Sequence, residues 1–527
     1  MKEGRMARAG AWLLLLSALG ITLTFETPTA GFLPGHHGYL SSMALAMGKN
    51  LDAEHHFLMF TRKSIDAEGK EQLDPHNRFP ILSFALIGAS VSWFADDPGG
   101  EMRVGRIVML LFFWGTLVLS YRLILRLSGN PLLAAAVSLL AFSSYYMHYY
   151  DDMVFNDIPA LFGFVLVLLG IAAAEIDGSH GLLWTAAFVS IALGWQGFAP
   201  LLCWWLLQSF RSLRACGFHL RAGAGAVLRQ QASRVLLVAV AWGCALLAFN
   251  LLNEKLAVHQ SFGDLPSLRS IKFRLGLEGG ETAFPEYPEL RWRNFLTLQA
   301  RRVMKATIPT RTLHGALNAL SENSGAREGY RLLLVAAVAG AITLYFVRGL
   351  FREMKDARRL VVLVALLSGF VWILGMRQFT AFHDFQSLFY VGFVLVFYLA
   401  ILLRVPRRAM AWVAVAALGI YAYTCVDLNR QKTEEGRPFE ARTRDFMAIR
   451  KLVGSNRRIL VGTDPAEFEA EFVPLRFYMA GNYYADLSHA EFILTKQRDY
   501  ASSPLTPENQ DFFLFRNLPA ASSPGIP

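Results

Sequence analysis

The feature that most constrains this chain is a series of apolar runs, each about as long as a membrane is thick. In the 527 residues they lie at 10–25, 79–95, 106–127, 131–149, 156–175, 181–210, 234–252, 330–348, 359–376, 384–403 and 409–426. A helix needs roughly 20 apolar residues to cross the hydrocarbon of a bilayer. Charged residues make up only 17% of the chain, well below the roughly one quarter typical of soluble domains. We therefore predict an all-α polytopic membrane protein with about eleven hydrophobic segments.

Three polar regions interrupt this pattern, at 26–78, 253–329 and 427–527. The last of them carries a helical pattern at 440–453 and short strand patterns at Arg458–Gly462 and Phe512–Phe515. We predict a transmembrane domain over 1–426, followed by a small C-terminal α/β soluble domain over 427–527. The aqueous chemistry of the protein is expected in the three polar regions.

Basic residues indicate which ends of the helices face the cytoplasm. The formal net charge is +10, and the Lys and Arg residues cluster at the ends of apolar runs, most densely at 211–234, 348–359 and 404–408. Positive charge is retained on the cytoplasmic side, which places 253–329 and the tail outside. We predict a cytoplasmic membrane protein with a cytoplasmic N-terminus and an extracytoplasmic tail. No basic module typical of nucleic-acid binding is visible, so we expect no nucleic-acid partner.

The orientation of the first half depends on two runs. The N-terminal run is predicted as a retained helix, because residues 26–30 make a poor signal-peptide cleavage site. If 79–95 is re-entrant and 181–210 is two short crossings broken at Gly194–Gly197, Asp152 lies outside. If both runs are single crossings, Asp152 lies inside. We favour the first alternative, because it puts Arg122 and Arg126 in the cytoplasm.

Titratable residues in the first polar region are candidates for acid–base chemistry. Glu26, His36 and His37 follow the first helix; they could act as bases, bind a metal, or simply be solvated at the lipid headgroups. Further on, His76 and Arg78 precede an apolar run, where the guanidinium suits a phosphate headgroup. The alternative is an ordinary helix start with a proline in its first turn.

Three further clusters flank apolar runs. Arg103 and Arg106 open the run at 106–127. The paired carboxylates of Asp151 and Asp152 follow aromatic residues and could bind a sugar or a divalent cation. The alternative for the nearby Asp157 is that it simply caps the next helix. The third cluster interrupts two apolar runs with Arg377, His383 and Asp384, and ionisable groups at membrane depth are expected to be functional.

The order of these motifs resembles the GT-C superfamily of membrane glycosyltransferases. The motifs are Gly35-His36-His37-Gly38-Tyr39, then Pro75-His76-Asn77-Arg78-Phe79-Pro80-Ile81-Leu82, an Arg at 103 or 106, Asn156-Asp157-Ile158-Pro159 and Phe382-His383-Asp384-Phe385. The likeness is strongest to the bacterial branch similar to protein mannosyltransferases and to aminoarabinose and lipopolysaccharide-core sugar transferases. It covers residues 1 to about 403 in layout. The Asp that this branch carries in its first outer loop is missing here.

The resemblance implies sugar transfer from a polyprenyl-phosphate donor to a lipid, glycan or protein acceptor among the membrane lipids. It implies a base from His36, His37 or Glu26 and phosphate binding by Arg78, Arg103, Arg106 or Arg377. Substrate binding would involve the remaining candidates, namely His76, Asp151, Asp152, His383 and Asp384. It names no certain cofactor and leaves a divalent cation open. We also expect His36 and His37 to point into a cavity shared with Asp152 or His383.

Two other functions stay open at this point. A lipid or oligosaccharide transporter is expected to carry an internal repeat with matching broken helices, and the two halves of this sequence show no convincing repeat. A non-catalytic subunit with the GT-C fold is compatible with the missing Asp. A nucleotide-sugar donor is disfavoured, because the sequence has no Gly-rich phosphate loop.

Overall fold

The architecture of the chain is given by a computed structural model. It describes residues 2–25, 35–51, 57–65, 68–274, 277, 292–307, 345, 348–349, 351–352, 354–454, 457–461, 483–485, 489–495, 504–506, 508 and 513–516. Glu26 and the side chain of His36 lie outside the described part of the chain, as does most of the predicted run at 330–348.

Helices dominate the described residues. The first nine are α1 (Lys2–Phe25), α2 (Gly35–Lys49), α3 (Ile81–Phe94), α4 (Pro98–Ser128), α5 (Pro131–Phe142), α6 (Tyr145–Tyr150), α7 (Asp157–Asp177), α8 (Gly181–Leu193) and α9 (Phe198–Ala215). The others are α10 (Leu220–Arg229), α11 (Gln231–Val258), α12 (Pro266–Arg274), α13 (Trp292–Thr307), α14 (Asp356–Gly375), α15 (Arg377–Phe382), α16 (Val391–Leu402) and α17 (Met410–Val453), which we call the long helix.

Local sequence signals fix several helix ends. Asp97 caps α4 by accepting a hydrogen bond from the Gly100 N–H at 2.7 Å, and Pro98 follows in the first turn. Asn130 caps α5 by accepting from two backbone N–H groups. Such caps satisfy donors that have no partner inside the helix, and proline is tolerated at the first helical position. The turn between α4 and α5 is therefore set by local sequence.

Seven helices in the described part of the chain are long and apolar enough to cross a membrane. They are Gly4–Phe25, Gly99–Ser128, Asp157–Asp177, Gln231–Val258, Asp356–Gly375, Asp384–Leu402 and Arg407–Arg437, and three shorter apolar helices are α3, α5 and α8. The multi-pass helical fold predicted from the sequence is confirmed. The predicted break at Gly194–Gly197 is also confirmed, since α8 ends at Leu193 and a 3-10 turn separates it from α9. The predicted run at 131–149 is divided into α5 and α6.

The predicted polar regions meet at one end of the helix bundle. His37 contacts Asp152, and Lys432 of the long helix contacts the same carboxylate. Arg302 of α13 donates to the backbone carbonyls of residues 380 and 381. Two of the predicted basic loops contact each other at the other end of α14, where Arg211 donates to the carbonyl of Asp356, the first residue of that helix, at 3.1 Å. Described parts of all three predicted polar regions thus share one end of the bundle.

A six-stranded sheet joins the two ends of the sequence. Its strands are β1 (Phe60–Ile65), β2 (Glu71–Pro75), β3 (Arg458–Val461), β4 (Tyr483–Tyr484), β5 (Phe492–Thr495) and β6 (Phe513–Arg516), in the order β2-β1-β4-β3-β5-β6. The strands β1 and β4 pair in parallel, with Lys63 opposite Tyr483. The two predicted tail strands are confirmed as β3 and β6. The predicted helix at 440–453 is the last part of the long helix, which continues without a break through residue 427.

Candidate functional site

The first of two polar centres is a buried cluster around Asp152, which follows α6. His37 of α2 donates from Nε2 to Asp152 Oδ1 at 2.9 Å. These two residues are therefore in contact, and the shared cavity that the sequence predicts for them stays a prediction. Lys432 Nζ lies 2.9 Å from Asp152 Oδ1 and also 2.9 Å from Asp151 Oδ1. Arg106 Nε lies 3.6 Å from Asp152 Oδ2. The whole cluster is buried, with Asp152 only 4% exposed.

The charges of this cluster satisfy one another. Burial alone would raise the pKa of Asp152, but Lys432, His37 and Arg106 together hold that pKa well below its usual range. Burial lowers the pKa of His37, although Asp152 acts in the opposite direction. A neutral His37 imidazole that donates to an ionised Asp152 carboxylate agrees with the lowered pKa of His37 and with the lowered pKa of Asp152.

The cluster continues towards α6 and the long helix. Asp151 Oδ2 lies 3.2 Å from His148 Nδ1, and the His148 ring packs edge-on against Tyr421 at 4.7 Å between centroids. Tyr149 donates from its hydroxyl to Glu435 at 3.1 Å. The long helix is therefore fixed to α6 by several polar contacts in addition to its apolar packing.

The second polar centre lies in the lining of a cavity of about 300 Å³. The cavity is lined mainly by apolar side chains, and its polar members are grouped around two arginines. The lining residues are Arg78, Phe79, Asn156, Asp157, Trp195, Gln196, Phe198, Val240, Gly243, Cys244, Leu247, Ile271, Arg274, Trp372, Met376 and Phe379. Cavities of a few hundred Å³ with few polar groups are typical ligand sites.

The backbone around Arg78 is held by its neighbours. The side chain of Asn250 in α11 donates to the carbonyls of Asn77 and Phe79, at 3.1 and 2.7 Å. Trp195 donates from its ring N–H to the Arg78 carbonyl at 2.8 Å. These bonds fix the backbone on both sides of Arg78, and Arg78 and Phe79 line the cavity.

Two guanidinium groups share this part of the cavity. The Arg78 guanidinium lies 5.1 Å from the centre of the Phe79 ring, and Arg274 lies 5.2 Å from the same ring and 4.0 Å from the Phe379 ring. Burial lowers the pKa of Arg274, the nearby Arg78 lowers it further, and Asp157 raises it. Arg side chains stay charged in proteins. Two cations therefore lie close together in an apolar setting, and a bound anion would stabilise both of them.

Asp157, the first residue of α7, supplies a carboxylate to the same cavity. Its Oδ1 accepts from Gln386 at 2.7 Å and from Gln196 at 3.3 Å. Its Oδ2 is buried, and among the residues that the structure describes it has no hydrogen-bond partner. Buried carboxylate oxygens are normally hydrogen-bonded, so this atom has an unused capacity to accept a hydrogen bond.

The remaining predicted residues are distributed around these two centres. Asp384 lies beside Tyr150 and, together with burial, raises the pKa of that phenol. His383 packs against Phe379 and Phe385, at 4.5 and 5.0 Å between ring centres. The Arg377 guanidinium lies 4.4 Å from the Trp292 ring.

Three other predicted residues lie away from the cavity lining. Arg103 is exposed. Arg106 faces Asp152 and is only 1% exposed, so in this structure its partner is a carboxylate. The His76 backbone N–H donates to the Met59 carbonyl at 2.7 Å, next to β1. Arg78 is thus the one predicted phosphate-binding residue that lines the cavity of about 300 Å³.

Comparison with known proteins gives similarity in overall layout. No protein-family model matches the sequence, and no curated protein matches it significantly. Among solved structures, the chain is similar over most of its length to the two that follow. ArnT from Cupriavidus metallidurans bound to undecaprenyl phosphate is 14% identical with a TM-score of 0.44, over 98% of this chain and 99% of that chain. The oligosaccharyltransferase of Archaeoglobus fulgidus in the apo form is 12% identical with a TM-score of 0.48, over 92% of this chain and 69% of that chain.

A metal site was an open possibility for the paired carboxylates. In the described part of the chain, no group of three or more His, Cys, Asp and Glu residues is arranged to hold a metal ion. Asp151 and Asp152 instead share the ammonium group of Lys432.

Sequence reasoning missed three residues of these centres. Lys432 lies in a polar stretch of mixed charge, and nothing in its spacing singles it out. Arg274 ends a short basic helix, where it is indistinguishable in sequence from the exposed Arg269. Asp157 was noticed only as a possible cap or motif residue, and the proline two positions later was the available signal.

Proposed function

We propose that the protein transfers a sugar from a polyprenyl-phosphate donor to an acceptor at the outer face of the cytoplasmic membrane. The observation that carries the proposal is the apolar cavity with Arg78 and Arg274 together on its lining. A polyprenyl phosphate has matching parts, namely a long apolar chain and one anionic group. Arginine is well suited to phosphate, because its planar donors can bind two oxygens at once.

The side of the cavity formed by α11 supports a ligand that comes from the bilayer. One face of this helix contributes four lining residues, Val240, Gly243, Cys244 and Leu247. Two of them, Val240 and Cys244, are exposed on the apolar outer surface. A side chain at Gly243 would collide with the Phe198 ring, since an added Cβ would lie 2.6 Å from it. Cys244 lies six residues before Asn250, about 9 Å deeper along the helix. The lipid chain would therefore extend from the arginines along α11 into the membrane.

The proposed reaction needs one bond to form and one to break. The acceptor hydroxyl oxygen attacks the anomeric carbon, and the bond from that carbon to the phosphate oxygen breaks. Its electron pair leaves with the polyprenyl phosphate, where the two guanidinium groups stabilise the charge. The hydroxyl proton is taken by a base. Each function is met by a residue type that lines the cavity.

We propose Asp157 as that base, because it lines the cavity that holds the two arginines and its Oδ2 has no hydrogen-bond partner among the described residues. His37 is the alternative that the sequence favours. Its Nε2 is bound to Asp152 inside the buried cluster, and His37 is not among the residues that line this cavity. A base must come within hydrogen-bond distance of the proton that it accepts, and this requirement favours Asp157.

Binding of undecaprenyl phosphate to purified protein tests the donor site. We expect Arg274→Gln to weaken binding ten- to a hundredfold, since a charge-assisted hydrogen bond contributes about 1.5–3 kcal/mol. Arg269→Gln, on the same helix but exposed and paired with Asp264, is the matched control and should leave binding unchanged. Equal affinity in the two variants would remove the phosphate site from this cavity.

Cys244 offers a second, independent probe of the same cavity. It is exposed, whereas Cys203 and Cys425 are buried and Cys216 is half-buried. We expect undecaprenyl phosphate to slow alkylation of Cys244 by a lipid-soluble maleimide, and Cys244→Ala to abolish this protected labelling. Donor binding without release of polyprenyl phosphate from a labelled lipid-linked sugar would favour a transporter or a non-catalytic subunit.

A further inference from the structure

A buried carboxylate near the end of α11 is bound to the helix that carries Arg274. Glu254 is fully buried and is not among the residues that line the cavity. Its Oε1 accepts a hydrogen bond from the backbone N–H of Ser267 at 3.0 Å. Ser267 is itself buried and belongs to α12. Glu254 therefore joins α11 to α12 through a polar contact inside the protein.

The position of Ser267 in α12 gives this contact its importance. The N–H groups in the first turn of a helix have no acceptor within that helix. Pro266 is the first residue of α12 and has no N–H, so Ser267 carries the first donor of the helix. A carboxylate at this end is also stabilised by the positive end of the helix dipole. Glu254 thus holds the start of α12 against α11.

The other end of α12 carries the arginine of the proposed donor site. Arg274 is the last residue of this helix, and its guanidinium lies 5.2 Å from the Phe79 ring and 4.0 Å from the Phe379 ring. It follows Ser267 by about two turns, or about 10 Å along the helix axis. A shift at the start of a short helix also moves its end. The contact with Glu254 therefore influences where the Arg274 guanidinium lies.

The same face of α11 also holds Arg78. Asn250 lies four residues before Glu254, and residues four apart are neighbours on one face of a helix. The Asn250 side chain donates to the carbonyls of the residues on both sides of Arg78. One turn of α11 is therefore bound both to the segment of Arg78 and to the helix that ends at Arg274.

We propose that Glu254 is a positioning residue, which places Arg274 beside Arg78 for the phosphate of the lipid donor. This inference rests on the proposed donor site, because it explains how the two guanidinium groups are brought together. The carboxylate acts as the acceptor of the Ser267 N–H, and its negative charge is not required. That charge interacts with Arg78 and would repel a phosphate bound there.

Binding of undecaprenyl phosphate to the purified full chain tests this role. Glu254→Leu removes the acceptor of the Ser267 N–H, and we expect binding to become at least about tenfold weaker. Glu254→Gln keeps an oxygen acceptor and removes the negative charge, so it should bind at least as tightly as the wild type. Glu175→Leu is the control and should leave binding unchanged, because Glu175 accepts from Trp204 and Gln208 on α9.

A double substitution separates positioning from general stability. In the Arg274→Gln background, Glu254→Leu should cause no further loss of binding, because the guanidinium that it positions is absent. Backbone hydrogen exchange at 266–274 reports on α12 without any ligand, and it should be faster in Glu254→Leu than in Glu254→Gln.

The outcomes distinguish this inference from the donor site on which it rests. Weaker binding in Arg274→Gln with wild-type binding in Glu254→Leu would overturn the role of Glu254 alone. Unchanged hydrogen exchange at 266–274 in Glu254→Leu would also overturn it. Wild-type binding in both single variants would overturn the proposed donor site as well.

Discussion

The cluster around Asp152 and the cavity around Arg274 both bring charged groups into the interior, but they differ in how those charges are satisfied. Asp152 contacts His37, Lys432 and Arg106 within a closed and buried group. Arg274 lies beside Arg78 and two aromatic rings in the lining of a cavity, close to Asp157, whose Oδ2 has no hydrogen-bond partner in the part of the chain that the structure describes. A buried charge that is fully paired holds elements together, and one that faces a cavity is available to a ligand.

We therefore expect the cluster around Asp152 to contribute mainly to stability and the cavity around Arg274 mainly to ligand binding, and substitutions can test this difference. Removing one partner from a closed ionic group leaves another charge buried and unpaired. Removing a charge that faces a cavity relieves repulsion in the free protein and weakens ligand binding. The two centres should therefore respond to different measurements.

The largest effect is expected at Asp157. Asp157→Asn keeps the Oδ1 that accepts from Gln386 but replaces the proposed base, Oδ2, by an amide NH2 that cannot accept a proton, so transfer should fall by about 10²- to 10⁴-fold with little loss of donor affinity. The measurement is release of polyprenyl phosphate from a labelled lipid-linked sugar. Asp177→Asn, at the exposed end of the same helix, is the control. Full activity in Asp157→Asn and none in His37→Gln would return the role of base to His37.

The next effect concerns the stability of the closed cluster. Lys432→Met leaves Asp151 and Asp152 without their shared cation, and we expect a loss of about 3–5 kcal/mol in the free energy of unfolding. The apparent melting temperature of purified protein measures it. Arg430→Gln removes only an exposed pair with Glu434 and should cost less than about 1 kcal/mol. Similar shifts in the two variants would mean that the cluster does not hold the long helix.

The smallest effect is expected from pH. Burial lowers the pKa of His37. As the pH falls below about 6.5, His37 therefore becomes protonated in the unfolded chain while it stays neutral in the folded chain. The contribution of His37 to stability is therefore complete above about pH 6.5 and decreases as the pH falls below it. The contribution of Asp152, whose pKa is held low, should persist to about pH 4. Melting curves of His37→Gln should show a weaker decrease between these pH values, and an unchanged curve would contradict the assignment.

Much of the membrane fold could be predicted, because crossing a bilayer imposes length and composition on each helix. The helices near Asp157–Asp177 and Gln231–Val258 follow directly from their apolar runs. The interruption at Gly194–Gly197 was visible as a polar and glycine-rich break. The length of the long helix was not predicted, because its polar half carries no apolar run of its own.

The candidate site was predicted only in part, because spacing along the chain does not give the direction of a long side chain. Arg78 and Arg106 look alike in sequence, since both lie next to the start of an apolar run. In the structure Arg78 lines the cavity and Arg106 faces Asp152. Lys432 and Arg274 reach their positions through packing between distant elements, which a single sequence does not reveal.

The sheet that joins β1 to β4 has a consequence for how the protein is made. Lys63 emerges early from the ribosome, whereas its partner Tyr483 lies near the far end of the chain. At about 5–20 residues per second, the second strand follows the first by tens of seconds. During that interval one edge of β1 has open backbone hydrogen-bonding groups, which can pair with other chains. Chains that stop before β4 would keep this edge open for their whole lifetime, so the tail protects the completed protein from aggregation through β1.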